Sequence, residues 1–364
     1  MKILFDHQIF CLQQYGGISR YFYELAKHLA AFAEHKVEIL APFYINEYLA
    51  APGVAAHKGL KIPGLSGAGK AAAWGIDTAI AYLLSGSRRR VDIFHETYYS
   101  GVDCCPRLAK RIITVHDMIY EKFPDQFPGK DRMRQIRKHA IIRADHVICV
   151  SDNTRKDLLN LLPVPENKTS VIYHGYSFNK KTKNKSFQSR KPYLLHVGRR
   201  IGYKNFDLLL LAFAHSSKLR KDFSLICFGG GAFRPAEQKR IVALGLSLQD
   251  VIQVHDDDAD LAGLYRNAAA FVYPSLYEGF GIPLLEAMAL ACPVICSNAS
   301  SFPEVVGNAA ELFDPLDEKN LRETIERVVF STEHRVALVQ RGLNRAKLFS
   351  WDRCAKETLQ VYVN

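Results

Sequence analysis

The sequence predicts an α/β protein of two doubly wound domains, each a parallel sheet covered by helices on both faces. Three observations predict it. Short apolar runs alternate with helical patterns along the whole chain, and such alternation implies parallel strands joined by helical crossovers. The chain has 364 residues, whereas a single hydrophobic core stops growing near ~250–300 residues. One stretch, Ser177 to Lys191, is polar, basic and almost free of aliphatic side chains, the composition of an interdomain linker. The expected division is residues 1–176, a linker at 177–191, and residues 192–350, followed by a last helix at 351–364.

In chain order, Lys2–Asp6 is an apolar run closed by Asp6 and His7, so it reads as a first strand and not as a leader peptide. Ile18–Phe32 follows as a helix, because Ile18, Tyr21, Phe22, Leu25 and Leu29 fall on one stripe. Val37–Ala41, Asp92–His95, Ile112–His116, His146–Val150 and Thr169–Tyr173 are further strands, with helices at Arg132–Arg143 and Asn153–Leu161. The segment Lys58 to Arg90 mixes Gly, Ala and apolar residues and ends in three arginines. It is either an interfacial helix with a basic edge or a core helix in a long connection. The second half has strands Tyr193–Val197, Ser224–Phe228, Val251–Val254, Ala270–Tyr273 and Val294–Ser297. Its helices are Phe206–Ser217, Ala236–Leu244, Asp258–Asn267, Pro283–Leu290 and Glu318–Phe330. Asp257 and Asp258 stand where a helix start takes caps and dipole partners. Ligands of such sheets bind outside the carboxyl ends of the strands.

Composition narrows the function. Hydrophobic residues at 48% and charged residues at 23% are ordinary for a soluble protein. No run reaches the ~18 apolar residues of a membrane span. The eight cysteines are scattered, without paired Cys-x-x-Cys or His partners at ligand spacing, so they read as small buried hydrophobes of a reducing cytoplasm. The net charge of +11 suits nucleic acid, an anionic membrane face or anionic substrates. No nucleic-acid module is present, so no nucleic-acid partner is expected. The runs Arg88–Arg90, Arg132–Lys138 and Lys180–Lys185 read as solvated faces.

The densest signal is Glu278-Gly-Phe-Gly-Ile-Pro-Leu-Leu-Glu286. A glycine turn opens into an apolar-periodic helix, with a carboxylate on either side. Amides at a helix start are unpaired and suit an anion such as a diphosphate. Ionised carboxylates only accept hydrogen bonds and suit hydroxyl-rich ligands. Phosphate and polyol in one site suggest a nucleotide-sugar. Arg199 and Lys204 flank a glycine turn after a strand, where two cations can grip a diphosphate and offset the charge of its departure. Gly16 and Gly17 precede the first long helix and allow close approach of a phosphate. His116 ends a strand, and Asp117 either orients it or caps the next turn. Phe228-Gly-Gly-Gly231 lacks the third spaced glycine of a dinucleotide fingerprint.

The longer string Val272 to Ala289 resembles the Glu-x7-Glu signature of the retaining family-4, or group 1, glycosyltransferases. That family has the GT-B fold, two Rossmann-like domains facing across a cleft. Gly16 and Gly17 match its N-terminal Gly-Gly loop, and His116 its histidine near the donor sugar. Arg199 and Lys204 match its Gly-Arg-x4-Lys element, Gly229 its glycine-rich turn near the nucleoside, and Val254 the loop by the nucleobase. The block Ser301-Phe-Pro-Glu304-Val-Val-Gly307 is similar to another family element, and Ser300 or Ser301 can cap the short helix holding Glu304. The resemblance runs from Gly16 to Asp314. It implies that Glu286 takes the ribose, and that Arg199, Lys204 and the amides around Leu284 and Leu285 take the diphosphate. Glu278, Gly279 and the amides of Phe280 and Gly281 take sugar hydroxyls. His116 stabilises charge or positions the sugar, and Arg200 is an extra cation able to share the role of Arg199. The resemblance further implies a last helix crossing back onto the first domain, no metal and no cofactor. The leaving phosphate then helps deprotonate the acceptor in a same-face attack.

The blocks Gly-Gly-Ile-Ser-Arg-Tyr and Ser-Ser-Phe-Pro-Glu-Val look like mannosyl- or deoxyhexosyltransferases of bacterial O-antigen, capsule or exopolysaccharide synthesis. These commonly use GDP-sugars; a UDP-sugar of glucose, galactose or GlcNAc is the alternative. The acceptor is expected to be a saccharide or a lipid-diphosphate-linked glycan. The basic charge fits a cytoplasmic protein peripheral to the anionic inner membrane. Two other classes share the fold: a nonenzymatic nucleotide- or glycan-binding protein, and a phosphorylase or epimerase acting on a free sugar phosphate.

Overall fold

The computed structural model describes residues 1–50, 56–62, 67–85, 90–178, 189–254 and 258–364. The chain divides into two compact units, Met1–Gly175 with Ser350–Asn364, and Tyr176–Phe349.

The first unit holds strands β1 (Lys2–Phe5), β2 (Lys36–Tyr44), β3 (Ala56–Lys61), β4 (Ile93–Glu96), β5 (Lys110–Val115), β6 (His146–Cys149) and β7 (Thr169–Val171). They form one sheet in the order β3-β2-β1-β4-β5-β6-β7, and every pairing is parallel. Its first six helices are α1 (Gln8–Leu12), α2 (Gly17–Ala30), α3 (Gly67–Ser85), α4 (Ile119–Lys122), α5 (Asp131–Arg143) and α6 (Asp152–Leu161). The predicted stripe of α2 is the buried one: Tyr21, Phe22, Leu25 and Leu29 are at most 1% exposed. Each such side chain contributes about 1.5–3 kcal/mol by leaving water.

The second unit holds β8 (Tyr193–Val197), β9 (Ser224–Phe228), β10 (Val251–Val254), β11 (Ala270–Tyr273), β12 (Val294–Ser297) and β13 (Glu311–Phe313). They pair in the order β10-β9-β8-β11-β12-β13, again all parallel. Strands β8, β9, β11 and β12 are buried at every position, which is why their sequences are continuous apolar runs without alternation. The helices are α7 (Phe206–His215), α8 (Ser217–Asp222), α9 (Pro235–Ala243), α10 (Asp258–Asn267), α11 (Ile282–Ala289), α12 (Phe302–Val306), α13 (Glu318–Val329) and α14 (Thr332–Ala346). The single helix expected over Phe206–Ser217 is interrupted. Ser216 is extended, and its hydroxyl accepts from the Leu219 amide at 3.1 Å, starting α8. The helix α14, and the edge strands β3 of the first sheet and β13 of the second, were not expected.

The last helix, α15 (Trp351–Val363), belongs to the first unit. Trp351, Cys354 and Tyr362 are at most 3% exposed. The Tyr362 hydroxyl lies 2.6 Å from His95 Nδ1 of β4, and Lys110 of β5 donates to the Val361 carbonyl at 2.8 Å. Asp352 meets His28 of α2 at 2.7 Å. Gly175 is required at its position: a Cβ there would come 2.2 Å from the Trp351 amide nitrogen. Of the stretch 177–191 expected as a linker, residues 179–188 lie outside the described residues, as do His255 to Asp257 with the cap expected at Asp257; Asp258 is the first residue of α10.

Candidate functional site

In the second unit the strand order reverses between β8 and β11, where ligands of doubly wound sheets bind. The segments after these two strands bring Lys204 and Glu278 together. Lys204 closes a short 3-10 turn, Gly202–Lys204, and its ammonium pairs with Glu278 Oε1. The same oxygen accepts from the Tyr273 hydroxyl at 2.9 Å and the Ser275 hydroxyl at 2.9 Å. Tyr273 and Ser275 were not singled out in the sequence, although both lie inside the string that carries the signature. Burial and the Glu278 charge push the Tyr273 phenol well above its ordinary value, so it stays a donor.

The backbone of the Glu278 turn is held from the segment between β12 and α12. Ser300 Oγ donates to the Glu278 carbonyl at 2.5 Å and accepts from the Glu278 amide at 3.2 Å. Ser301 Oγ donates to the carbonyls of Glu278 and Phe280, each at 3.0 Å. This corrects the expected capping role. Ser301 stands at the N-cap of α12 without a side-chain cap bond, because its hydroxyl reaches the Glu278 turn instead. Gly281, with φ 99°, starts α11. The Leu284 amide donates to the Gly281 carbonyl at 2.9 Å; Leu284 and Leu285 are fully buried. Glu286 is 6% exposed, inside the helix and not on its surface. The Tyr265 hydroxyl of α10 donates to its Oε2 at 3.5 Å.

Arg199 and Arg200 separate in role. Arg199 is exposed. Arg200 is 7% exposed and its five N–H groups are all engaged, so it is not a spare cation for a ligand. Nε donates to Glu237 at 3.0 Å. Nη1 donates to the Gly229 carbonyl at 2.8 Å and to Gln253 Oε1 at 2.7 Å. Nη2 donates to the carbonyls of Gly231 at 2.7 Å and Ala232 at 3.3 Å. The guanidinium also lies 4.8 Å from the Phe233 ring centroid. It clamps a turn in which Gly229, Gly230 and Gly231 all have φ between 74° and 80°. Such a run favours glycine, and a Cβ on Gly230 would press on the Gly198 carbonyl at 2.9 Å. Gly229 thus follows β9 beside the turn after β8, and Val254, 6% exposed, ends the neighbouring β10.

The remaining expected residues belong to the first unit. Gly16 is extended and Gly17 begins α2. One amide of that helix start is already taken: Gln13 Oε1 accepts from Ser19 at 3.1 Å, a cap the sequence did not disclose. A Cβ on Gly17 would meet nothing within 4 Å, so its backbone is open to approach. His116 directly follows β5. Its ring stacks on His174 at 5.8 Å between centroids and meets the edge of Tyr21 at 5.1 Å. Burial, followed by His174, His95 and Arg137, pushes its pKa well below the ordinary value. The imidazole is neutral at physiological pH and offers hydrogen bonds, not charge. Its buried Nε2 has no partner among the described residues. Asp117 caps the following turn, accepting from the Ile119 amide at 3.1 Å. Arg137, expected on a solvated face, is 3% exposed. It donates to the Asp117 carbonyl at 2.5 Å and to Glu121 at 3.1 Å, stacked 4.5 Å from the Tyr99 ring centroid. It fixes the turn that carries His116.

Comparison with known proteins gives the same direction over both units. The family model for glycosyl transferases group 1 matches residues 177–345, and that for glycosyltransferase family 4 matches residues 15–180. O-antigen chain mannosyltransferase B of Escherichia coli is 31% identical over 270 residues, 70% of this chain and 71% of that protein. O-antigen chain mannosyltransferase RfbU of Salmonella typhimurium is 32% identical over 246 residues, 67% of this chain and 65% of that protein. Among solved structures, Anabaena HepE in complex with UDP and glucose superposes with a TM-score of 0.76 at 17% identity, covering 100% of both chains. WaaG, a glycosyltransferase involved in lipopolysaccharide biosynthesis, superposes with a TM-score of 0.73 at 17% identity, covering 100% of this chain and 99% of that one.

Proposed function

The chain belongs to the family-4 glycosyltransferases of the GT-B fold, and from that premise we propose that it transfers mannose, or a related deoxyhexose, with retention from a GDP-sugar to a growing surface polysaccharide. The acceptor in this reading is a saccharide or a lipid-diphosphate-linked glycan. One observation carries it: Lys204 and Glu278 meet beside the point where the strand order reverses. A cation for a leaving diphosphate and a carboxylate for sugar hydroxyls then share one site. The two O-antigen mannosyltransferase relatives support mannose as the sugar. Arg199 and Lys204 supply the positive charge that a metal supplies elsewhere, and turnover in excess chelator is the corresponding expectation.

A thermal-shift screen of GDP-, UDP-, ADP- and dTDP-sugars tests the donor, since a ligand that binds only the folded state raises its stability. GDP-mannose is expected to give the largest shift. A shift confined to UDP-sugars would replace the donor assignment, and no shift with any nucleotide-sugar would remove the site.

The enzyme of this reading works against an anionic membrane. No helix among the described residues is long and apolar enough to cross one. Helix α3 exposes Ala72, Ile76, Ala79 and Leu83 along a single stripe, with Ile76 52% and Leu83 74% exposed. An exposed apolar stripe on a chain of net charge +11 suits interfacial binding. Co-sedimentation with anionic vesicles is expected to fall as salt rises, and Leu83→Glu is expected to weaken it. Failure to bind at any salt concentration would remove this contact.

A further inference from the structure

Glu278 presents its carboxylate asymmetrically. Oε1 receives three donors: the ammonium of Lys204, the hydroxyl of Tyr273 and the hydroxyl of Ser275. Oε2 receives none among the described residues. The two hydroxyls are rigidly placed. The Tyr273 ring is 3% exposed and packs 5.4 Å from Phe271 and 5.3 Å from Phe302, centroid to centroid. Ser275 is fully buried, and its own carbonyl is tied by Ser297 Oγ at 2.6 Å. Lys204 differs from them: its ammonium sits at the end of a flexible chain and is free to follow an arriving diphosphate.

We infer that Tyr273 and Ser275 are positioning residues, which hold Oε1 of Glu278 so that Oε2 alone faces the sugar. The inference rests on the reading of the second unit as a nucleotide-sugar site. Its physical content is what happens when the diphosphate draws on Lys204. With the lysine as its sole partner, Glu278 would follow the cation towards the phosphate and away from the hydroxyls. Two fixed hydroxyl donors keep it in place, so the acceptor edge is already oriented when the sugar arrives. The Tyr273 hydroxyl also lies 3.4 Å from Lys204 Nζ. Its proton goes to Glu278 and its lone pair faces the ammonium, so it touches both members of the ion pair and stays on Glu278 when the lysine moves.

A double-mutant cycle tests this. Tyr273→Phe keeps the packed ring and deletes only the hydroxyl. It is expected to lower kcat/KM for the nucleotide-sugar about 10- to 100-fold, the value of a hydrogen bond to a charged group. Its Kd for the bare nucleoside diphosphate, which makes no use of Glu278, is expected to change less than about threefold. In a Glu278→Ala background the same substitution is expected to add less than about twofold to the loss of kcat/KM for the nucleotide-sugar. Ser275→Ala carries the same test should Tyr273→Phe not fold. Equal losses in both backgrounds, or equal weakening of the bare nucleoside diphosphate, would overturn the positioning role while leaving the functional reading intact. A wild-type enzyme that neither binds nor turns over any nucleotide-sugar would overturn that reading, and this inference with it.

Discussion

Replacing Lys204 by Ala is expected to lower kcat/KM for sugar transfer by about 10²- to 10³-fold, or ~3–4 kcal/mol, the range for removing one preorganised charge-stabilising donor. The loss falls on kcat as well as on donor affinity, because negative charge on the leaving diphosphate grows as the glycosidic bond breaks. The structure adds a second reason. Lys204 is the counter-ion of Glu278, so its removal leaves an unpaired carboxylate beside the position proposed for the diphosphate. Arg199→Ala shares the sign, with a smaller expected effect because that side chain is exposed. Steady-state kinetics with varied donor separate the two parameters. Wild-type turnover in Lys204→Ala would remove the lysine from the mechanism.

The second large effect is on stability. Arg200→Ala is expected to cost about 3–5 kcal/mol, as breaking a buried ion pair does, and to lower Tm by roughly 6–20 °C at about 2–4 °C per kcal/mol. The side chain is 1% exposed. Its loss removes the partners of Glu237 Oε1, Gln253 Oε1 and the carbonyls of Gly231 and Ala232, and one of two donors to the Gly229 carbonyl. Arg200→Lys is expected to rescue little, since an ammonium has three donors in place of a planar fork of five. Burial alone would raise the Glu237 pKa. Hydrogen bonds from the Arg234 backbone and side chain, then Arg200, hold it below the ordinary carboxylate value. Its folded pKa is therefore depressed, and the stability it contributes is present above the unfolded value and lost as pH falls through the folded one. The Tm gap between wild type and Arg200→Ala is expected to narrow below about pH 4. An Arg200→Ala protein with wild-type Tm at pH 7 would show that the clamp does not hold the turn.

These two residues mark what could be read in the chain and what could not. The central strands β8, β9, β11 and β12 were legible to the residue, because burial on both faces writes an uninterrupted apolar run. The edge strand β3, Ala-His-Lys-Gly-Leu-Lys, has no such run, since an edge is half solvated. Helix α14 escaped because few of its side chains are buried, among them Leu338 and Ala346. Lys204 was legible through its spacing from Arg199. Arg200 was not, because its partners are carbonyls and side chains supplied by the segments after β9 and by β10, and no local pattern records them. Ser301 was read as a local cap when its bonds reach back to Glu278 and Phe280. Helix caps are local chemistry; the support of a loop depends on which strands are neighbours.

The close approach of Gly175 to Trp351 has a consequence for synthesis. A ribosome makes residues 1–175 first, but Trp351, Cys354 and Tyr362, which fill the core of that unit, emerge only after the whole of residues 176–349. Until then the nascent unit has an open seat against α2 and β4, where Tyr362 meets His95. Domains emerging from the ribosome usually close in order from the N-terminus. Here the half translated first is the half completed last, and its apolar seat must stay uncovered, or be shielded, while the second unit folds.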